Sequence, residues 1–221
     1  MSYHLTVTTD TATDRPHLRI LKAMRACKHR RGVLELAVSE EESARRIVEH
    51  LLGKNDTKSH YGPCEHPSIT TFSENVPSYV LNQIRTHRAG ITFDAYSMRD
   101  GFVEDAQRVL KGELPLQAVF EDNPAYDSDY LREALKKYTD TCRDFGTEAG
   151  RGILPTCYLT SFYMTCNLRT AFHLCDLRLK KDAQGQTQEW CKLFSHQIEL
   201  WCPDLWEWYV KNRYSRANLA P

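Results

Sequence analysis

The chain has 221 residues, and its 29 lysines and arginines are balanced by 29 aspartates and glutamates, for a formal net charge of zero. This balance argues against bulk attraction to nucleic acid or to a membrane surface. The length suits one sizeable core, and no apolar run approaches the roughly 18 residues that a transmembrane helix needs. The first residues lack a basic-then-apolar signal pattern, so we expect a cytoplasmic protein.

Eight cysteines are scattered along the chain and form no CxxC pair, which argues against a zinc ribbon. Without a signal pattern, buried free thiols are the expected state. His60, Cys64 and His66 could belong to a metal cluster, but no fourth ligand stands at a characteristic spacing. We therefore predict no metal site.

The first quarter of the chain predicts one strand and two helices. Residues 5–8 alternate as a strand does, and apolar residues recur at helical spacing over residues 17–27. Ser39, with Glu42 three residues later, is a capping box that opens the second helix. That helix is expected to end at Gly53.

The middle of the chain predicts a loop, a strand and a helix. Residues 54–67 form a loop dense in titratable groups, and residues 68–72 alternate as a strand. Pro77 suits the first turn of the following helix, which we expect to run to a stop at Ala89–Gly90.

The second half predicts four more helical segments and one strand. A short helix covers residues 104–111, and Ser128 is expected to cap a longer one. Residues 157–165 are aromatic and β-branched, as in strands. Asn167 is a good N-cap for a helix over residues 168–180. The last stretch is helical with a break at Pro203, and its four tryptophans indicate core or subunit interface.

Six arginines lie in turns or helix segments beside small or apolar neighbours, not in a general charge run. They are Arg85, Arg88, Arg99, Arg151, Arg169 and Arg178. Guanidinium groups match phosphate geometry bidentately, so this set could hold phosphorylated ligands, although any of them could instead form a surface ion pair. GxGxxG, P-loop and GxSxG motifs are absent.

Four segments carry a resemblance to a known family. Gln83-Ile84-Arg85-Thr86-His87-Arg88, followed by Ser97-Met98-Arg99, resembles the Arg-His-Arg…Ser signature of the flavin-dependent thymidylate synthases, the ThyX family. The segment from His60 to His66 resembles the family's His-x-x-Pro-x-Glu-His loop. The segment that begins at Arg151 resembles the family's Arg-x-x-Leu-Pro turn. The segment from Asn167 to Gln184 resembles its Asn-x-Arg…Leu-Arg…Ala-Gln helix.

The match spans about residues 18–213, with three departures from the family pattern. Thr86 stands where the signature has its first arginine, and the spacer from Ala89 to Tyr96 is eight residues, one more than usual. Asp100 follows Arg99 where the family usually has tyrosine, and an acid there repels an anionic ligand or holds the arginine by a salt bridge.

The resemblance implies an α/β fold of the α+β type, with a mixed or antiparallel sheet flanked by helices. It implies a single ThyX-like domain over residues 1–221, assembled as a homotetramer whose sites combine several chains. FAD is the implied cofactor, with NADPH and methylenetetrahydrofolate as co-substrates and dUMP as the substrate.

The resemblance also implies roles for individual residues. The implied FAD contacts are Glu65, His87, Arg88, Asn167, Arg169 and His173. The implied nucleotide contacts are Gln83, Arg85, Ser97, Arg99, Arg151 and Arg178. Arg178, Ser97 and His60 are the implied catalytic groups, with His60 on the folate and nicotinamide side. Ser97 has no adjacent base in the sequence, so we interpret it as a binding or polarising group before a nucleophile.

The leading hypothesis is therefore FAD-dependent methylation of dUMP. Two alternatives remain open at this point. One is the same chemistry on UMP or another pyrimidine nucleotide, and the other is a catalytically silent relative that binds flavin or nucleotide. Asp100 and Thr86 are the residues that keep these alternatives open.

Overall fold

We describe the fold from a computed structural model, which describes residues 3–58, 60–99 and 101–216. Within these residues the strands are β1 (Thr6–Ala12), β2 (Ser68–Pro77), β3 (Ile91–Ala95) and β4 (Leu159–Asn167). The helices are α1 (Pro16–Ala26), α2 (Glu40–Ile47), α3 (Ser78–Ile84), α4 (Phe102–Leu110), α5 (Ser128–Phe145), α6 (Thr147–Gly150), α7 (Leu168–Arg178), α8 (Gly185–Trp201) and α9 (Pro203–Asn212). A π-helical turn, Val48–Leu52, follows α2, and a 3₁₀ turn spans Gly62–Glu65.

The four strands form one antiparallel sheet in the order β1-β2-β4-β3. Along β2 the side chains of Ile69, Thr71 and Ser73 are buried at every second position, as the period of a strand requires. Phe162 and Met164 continue this alternation on β4. The resemblance implied an α/β fold with a mixed or antiparallel sheet; this is confirmed, and the sheet is antiparallel.

The chain divides into two compact units, each made of several segments. Unit 1 contains Ser73–Arg85, Asp94–Tyr163 and the residues before Val7, and unit 2 contains Val7–Phe72, Thr86–Phe93 and the chain from Met164 onward. Strands β2, β3 and β4 each begin in one unit and end in the other. The single-domain assignment stays a prediction.

The core of unit 1 is built by α4 and α5. Phe102 of α4 meets Tyr138 of α5 edge to face, with 5.5 Å between ring centroids, and both side chains are buried. The Tyr138 hydroxyl donates to the carbonyl of Met98 at 2.9 Å, which satisfies its polar group inside the core. This contact anchors the segment that carries Ser97 and Arg99.

Unit 2 is organised around α7, which is buried along most of its length. Phe172 of α7 stacks on Tyr209 of α9 with centroids 4.9 Å apart, and Trp190 of α8 stacks on Phe194. The 3₁₀ turn Gly62–Glu65 packs against both α1 and α7. Trp190 and Trp208 are buried, so the prediction of core tryptophans is confirmed for these two.

Three local predictions need correction. The helix expected to reach Ala89–Gly90 ends at Ile84, with Pro77 as its N-cap and the last residue of β2. The N-cap of α5 is Asp127 and not Ser128, because the Asp127 carboxylate accepts from two backbone N–H groups of the first turn. Strand β3 was not predicted, since its five residues carry only a short apolar alternation.

The prediction of buried free thiols agrees with the structure for seven of the eight cysteines. All eight cysteines are free, and all except Cys27 are buried. Among the described residues, no helix has both the length and the apolar composition needed to cross a bilayer.

Candidate active site

The start of α7 is closed by its own N-cap and holds the loop Ala89–Gly90 by two further hydrogen bonds, all within unit 2. The Asn167 carboxamide oxygen accepts from the Thr170 N–H at 2.9 Å, which confirms the predicted N-cap. The Asn167 backbone N–H donates to the Gly90 carbonyl at 3.1 Å. The Thr170 hydroxyl donates to the Ala89 carbonyl at 2.7 Å. The helix cap therefore also fixes the loop that follows the His87–Arg88 pair.

Gly90 is required at this point for two reasons. Its φ of +66° lies in the left-handed region that disfavours side chains. A Cβ on Gly90 would also lie 2.2 Å from Asn167 Nδ2 and 2.7 Å from Thr170 Oγ1. The backbone can approach the capped turn only because no side chain is present.

An ion pair joins the 3₁₀ turn to α7. Arg169 donates from Nη1 to Glu65 Oε1 at 2.5 Å, and both side chains remain partly exposed. A guanidinium has five donors, so those of Arg169 that do not face Glu65 can bind an anionic ligand. The pair brings together two of the predicted flavin residues that are 104 positions apart in the sequence.

His173 and Arg178 of α7 form a second cluster with His87, which follows α3. The His87 and His173 rings meet edge to face with centroids 4.8 Å apart. Arg178 Nη2 lies 3.3 Å from both His87 Nε2 and Thr86 Oγ1. Burial, with help from the neighbouring His173 and Arg178, lowers the pKa of His87 to about 4. Burial likewise lowers the pKa of His173, so both imidazoles are neutral at pH 7.

The first turns of α7, the Ala89–Gly90 loop and Glu65 enclose a cavity of about 280 Å³, which we call the Asn167 cavity. Its walls are Glu65, Ala89, Gly90, Asn167, Arg169, Thr170 and His173. Nδ1 of His173 is buried and has no hydrogen-bond partner among the described residues. A buried polar atom of this kind points to a missing partner, such as a ligand or water. Four of the six predicted flavin residues line this cavity, and a fifth, His87, contacts the wall residue His173.

Thr170, Ala89 and Gly90 line the cavity but were not predicted as site residues. The available signal was the helix cap, because a side chain at Asn167 accepts from the N–H three positions later, at Thr170. The part played by the Ala89–Gly90 loop could not be found this way, since its contacts to α7 are far apart in sequence.

The residues predicted to bind the nucleotide lie mostly in the other unit. Gln83, Arg85, Ser97, Arg99 and Arg151 belong to unit 1, whereas Arg178 belongs to unit 2 with all the predicted flavin residues. Arg85 is the exposed C-cap of α3. Ser97 Oγ accepts from the Arg99 backbone N–H at 3.1 Å, and Arg151 lies 3.7 Å from Glu148. Asp100 lies outside the described residues.

His60 is exposed and does not line the Asn167 cavity. It lines a different cavity of unit 2, together with Pro63 of the 3₁₀ turn. Of the three predicted catalytic groups, Arg178 and His60 are in unit 2 and Ser97 is in unit 1. Their predicted roles stay predictions.

Solved structures of pyrimidine-methylating enzymes share this fold. The chain superposes on a UMP/dUMP methylase, PolB, from Streptomyces cacaoi bound with 5-Br dUMP, with a TM-score of 0.72, 18% identity, and 99% and 98% of the two chains covered. It also superposes on thymidylate synthase X from Helicobacter pylori with FAD and dUMP, with a TM-score of 0.64, 14% identity, and 87% and 92% covered. At these identities the similarity establishes the fold.

Sequence comparison then identifies the family. Flavin-dependent thymidylate synthases of Haloarcula marismortui and Halobacterium salinarum are 28% and 29% identical to the chain. The alignments cover 83% and 82% of this chain and 82% and 81% of those proteins. The family model Thy1, "Thymidylate synthase complementing protein", matches residues 9–204. The chain belongs to this family, and the prediction of a ThyX-family enzyme is confirmed.

Proposed function

We propose that this protein is an FAD-dependent thymidylate synthase that methylates dUMP at C5, with methylenetetrahydrofolate as carbon donor and NADPH as reductant. Family membership supports the class of reaction. The observation that carries the proposal is the Asn167 cavity, because it gathers four residues that the family resemblance assigns to the flavin.

The groups in the Asn167 cavity fit a flavin dinucleotide. Arg169 supplies a cation for phosphate, the loop at Gly90 allows close backbone approach, and His173 Nδ1 is buried without a partner among the described residues. FAD supplies the redox and one-carbon relay chemistry when bound. The cavity, at about 280 Å³, is smaller than most pockets for ligands of this size. We therefore propose that a homotetramer completes the site with residues of other subunits.

The chain's own residues bind and polarise, and none needs to act as a strong nucleophile. Arg169, held by Glu65, binds anionic oxygens of the cofactor. His87 and His173, being neutral at pH 7, offer hydrogen-bonding nitrogens to a ligand without adding charge beside Arg178. We assign Arg178 to the pyrimidine nucleotide, where its charge stabilises the negative charge that develops on the ring during attack.

The remaining nucleotide contacts are proposed for unit 1. Gln83 and the arginines Arg85, Arg99 and Arg151 are donors for phosphate and ring oxygens. Ser97 is a binding or polarising group, because the group its oxygen contacts is an N–H donor, the Arg99 amide, and not a base. His60 is proposed for the side of the site that receives folate and nicotinamide.

A second candidate is the same reaction on UMP. The observation that favours it is the superposition on PolB, a UMP/dUMP methylase whose structures contain 5-Br dUMP or 5-Br UMP. A catalytically silent relative that binds flavin or nucleotide is the third alternative.

The test is a visible absorption spectrum of the purified protein, followed by anaerobic reduction with NADPH in the presence of dUMP or UMP. We expect a flavin spectrum whose bleaching is accelerated by dUMP. Acceleration by UMP alone would assign the second candidate. A bound flavin that no nucleotide affects, or no flavin after addition of FAD, would contradict the enzyme proposal.

A further inference from the structure

Unit 2 contains a second and larger cavity of about 690 Å³, which we call the Arg25 cavity. Its size lies within the range of about 300–1,000 Å³ that is typical of small-molecule sites. It lies among the end of α1, the π-helical turn after α2, and the segment before the 3₁₀ turn. Its basic wall residues are Arg25, Lys28, His29, Arg46, His50 and His60.

The charge of this cavity has one sign. Within the described part of the chain, no aspartate or glutamate lines it. Arg46 is already paired with Glu42 at 2.6 Å, but Arg25 and Lys28 form no ion pair or side-chain hydrogen bond with any residue that the structure describes. Arg25 lies in the last turn of α1, where the helix dipole favours a cation. Two charged side chains are therefore available for an anionic ligand.

The floor of the Arg25 cavity is apolar. Leu21 and Leu51 are buried there, and Met24 and Pro63 complete it. A simple inorganic anion would leave this surface uncovered. A ligand that uses both surfaces has an apolar body and several negative groups.

The two cavities flank the same four-residue turn. In the 3₁₀ turn Gly62–Glu65, Pro63 lines the Arg25 cavity and Glu65 lines the Asn167 cavity. Two residues of a 3₁₀ helix span about 4 Å along its axis, and this turn packs on both α1 and α7. The turn therefore contributes one wall residue to each of the two cavities.

We propose that the Arg25 cavity binds the oligoanionic part of a co-substrate that must meet the cofactor, with Arg25 and Lys28 as its anion contacts. This inference rests on the proposed function. Two co-substrates have this chemistry: a folate carrying carboxylates on its glutamate tail, and a nicotinamide dinucleotide carrying phosphates. The experiment distinguishes them.

Cys27 provides a readout that needs neither flavin nor turnover. It lines the Arg25 cavity and is exposed, whereas the other seven cysteines are buried. Burial also raises the pKa of Cys64 and Cys166 to about 12, so they present little reactive thiolate. A thiol reagent therefore reports on access to this cavity, and loss of the fast phase in Cys27→Ser verifies the assignment.

The measurement is the rate of Cys27 modification in the full-length protein, at constant ionic strength, with tetrahydrofolate, its triglutamate, NADPH or NADH added. We expect protection by the more anionic member of one pair, triglutamate over monoglutamate or NADPH over NADH. That pair identifies the co-substrate. Protection should weaken with added salt, because the contacts are partly exposed charges.

Matched variants test the assigned contacts. Arg25→Gln and Lys28→Gln should each weaken protection by roughly fivefold or more, as expected for loss of a charged contact. Arg30→Gln removes the same charge from the same segment but does not line the cavity, so protection should be kept. An unfolding curve for each variant separates loss of binding from loss of structure.

Two outcomes overturn the inference: no probe protects Cys27, or all probes protect it equally in the parent and in Arg25→Gln. If the flavin of such a protein is still bleached faster with dUMP, the proposed function stands and only the second cavity is reassigned. If Cys27 is protected but no flavin binds, the proposed function fails and the Arg25 cavity remains a site for an oligoanion.

Discussion

The side chains around His173 show how burial sets charge at single residues. His87, His173 and Arg178 lie together on or beside α7, yet only the arginine carries a charge at pH 7. A second or third positive charge in this partly buried cluster would be repelled, and burial already disfavours the charged imidazole. The cluster therefore offers one cation and two neutral hydrogen-bonding groups to a ligand.

The pH dependence of stability follows from His87. Its pKa in the folded chain is about 4, below the ordinary value of about 6.5. Between these values the unfolded chain binds more protons at this histidine than the folded chain does. The contribution of neutral His87 to the free energy of unfolding is therefore fully present above about pH 6.5 and is lost as the pH falls toward 4. The slope is at most about 1.4 kcal/mol per pH unit, reduced by partial exposure of the ring.

His87→Gln should therefore make urea-unfolding free energies less dependent on pH between 4 and 6.5. The glutamine keeps a hydrogen-bonding side chain but does not titrate. Identical slopes in the parent and the variant would show that His87 does not couple to folding in this range.

Substitution of Arg169 or of Arg178 should separate FAD binding from nucleotide binding. Arg169→Ala should weaken FAD binding by about tenfold or more, as expected when a charged contact to an anionic cofactor is lost. Arg178→Ala should weaken nucleotide binding several-fold and leave bound flavin largely intact. Flavin absorbance after gel filtration and dUMP titration measure the two affinities.

Arg45→Ala is the control for this pair, since Arg45 forms exposed ion pairs with Glu42 and Glu49 and lines neither cavity. It should change neither affinity. If both test variants affect only nucleotide binding, the division of roles between them is wrong.

At the scale of an element, the first turn of α7 both caps the helix and holds a neighbouring loop. Asn167 ends β4 and caps α7, and the same turn holds the Ala89–Gly90 loop. A cap satisfies backbone donors that the helix itself cannot pair, so it is stable without a ligand. The wall of the Asn167 cavity is thus formed by the fold and is available before any cofactor binds.

Gly90→Ala should disrupt this element. The variant meets left-handed backbone strain of about 1–2 kcal/mol, and displacement of the Asn167 cap adds roughly 1 kcal/mol. Gly32→Ala is the matched control, because Gly32 has a φ of +70° but a Cβ added there would meet no described atom within 4 Å.

Thermal unfolding and FAD titration of both variants test the prediction. We expect both to lose stability through strain, but only Gly90→Ala to lose flavin affinity as well. Equal losses in the two variants would show that contact with Asn167 and Thr170 has no part in the effect.

At the scale of the molecule, unit 2 is joined by a buried charge network near the end of the chain. Arg213 donates to Asp176 Oδ2 at 2.6 Å, to Asp56 Oδ2 at 2.5 Å and to the Tyr61 hydroxyl at 2.9 Å. Asp176 also accepts from the Tyr209 hydroxyl at 3.0 Å. The network connects α7 with the segment just before the 3₁₀ turn, and these two parts of the chain lead to the wall residues Arg169 and Glu65.

Arg213→Ala should destabilise the protein by about 3–5 kcal/mol, because it leaves the buried Asp176 carboxylate without its countercharge. Arg45→Ala also removes an arginine with two carboxylate partners, but its side chain is 62% exposed. Its removal should cost far less, because water and salt screen an exposed ion pair. Urea unfolding measures both, and comparable losses would contradict a structural role for the buried network.

Several helix boundaries, and one cap at the site, could be predicted from local sequence. The Asn167 cap, the ends of α1 and α4, and the break at Pro203 each depend on residues within a few positions of one another, and the structure agrees with them. Four motif segments also identified the family, because each retains its residue types and order.

Other features depended on contacts between distant residues. The end of α3 at Ile84, strand β3 and the location of His60 on a separate cavity could not be inferred from periodicity. The role of Arg213 was also hidden, since its partners are 37 to 157 positions away.

The sequence by itself therefore determined the family, the α/β class and the residue types available for binding, since caps, turns and motifs are short-range chemical signals. Only the tertiary structure decided which of those residues share a cavity, which histidines stay neutral and which arginine is buried. Burial and distance are properties of the packed chain, and they alone convert a set of arginines and histidines into sites with a defined charge.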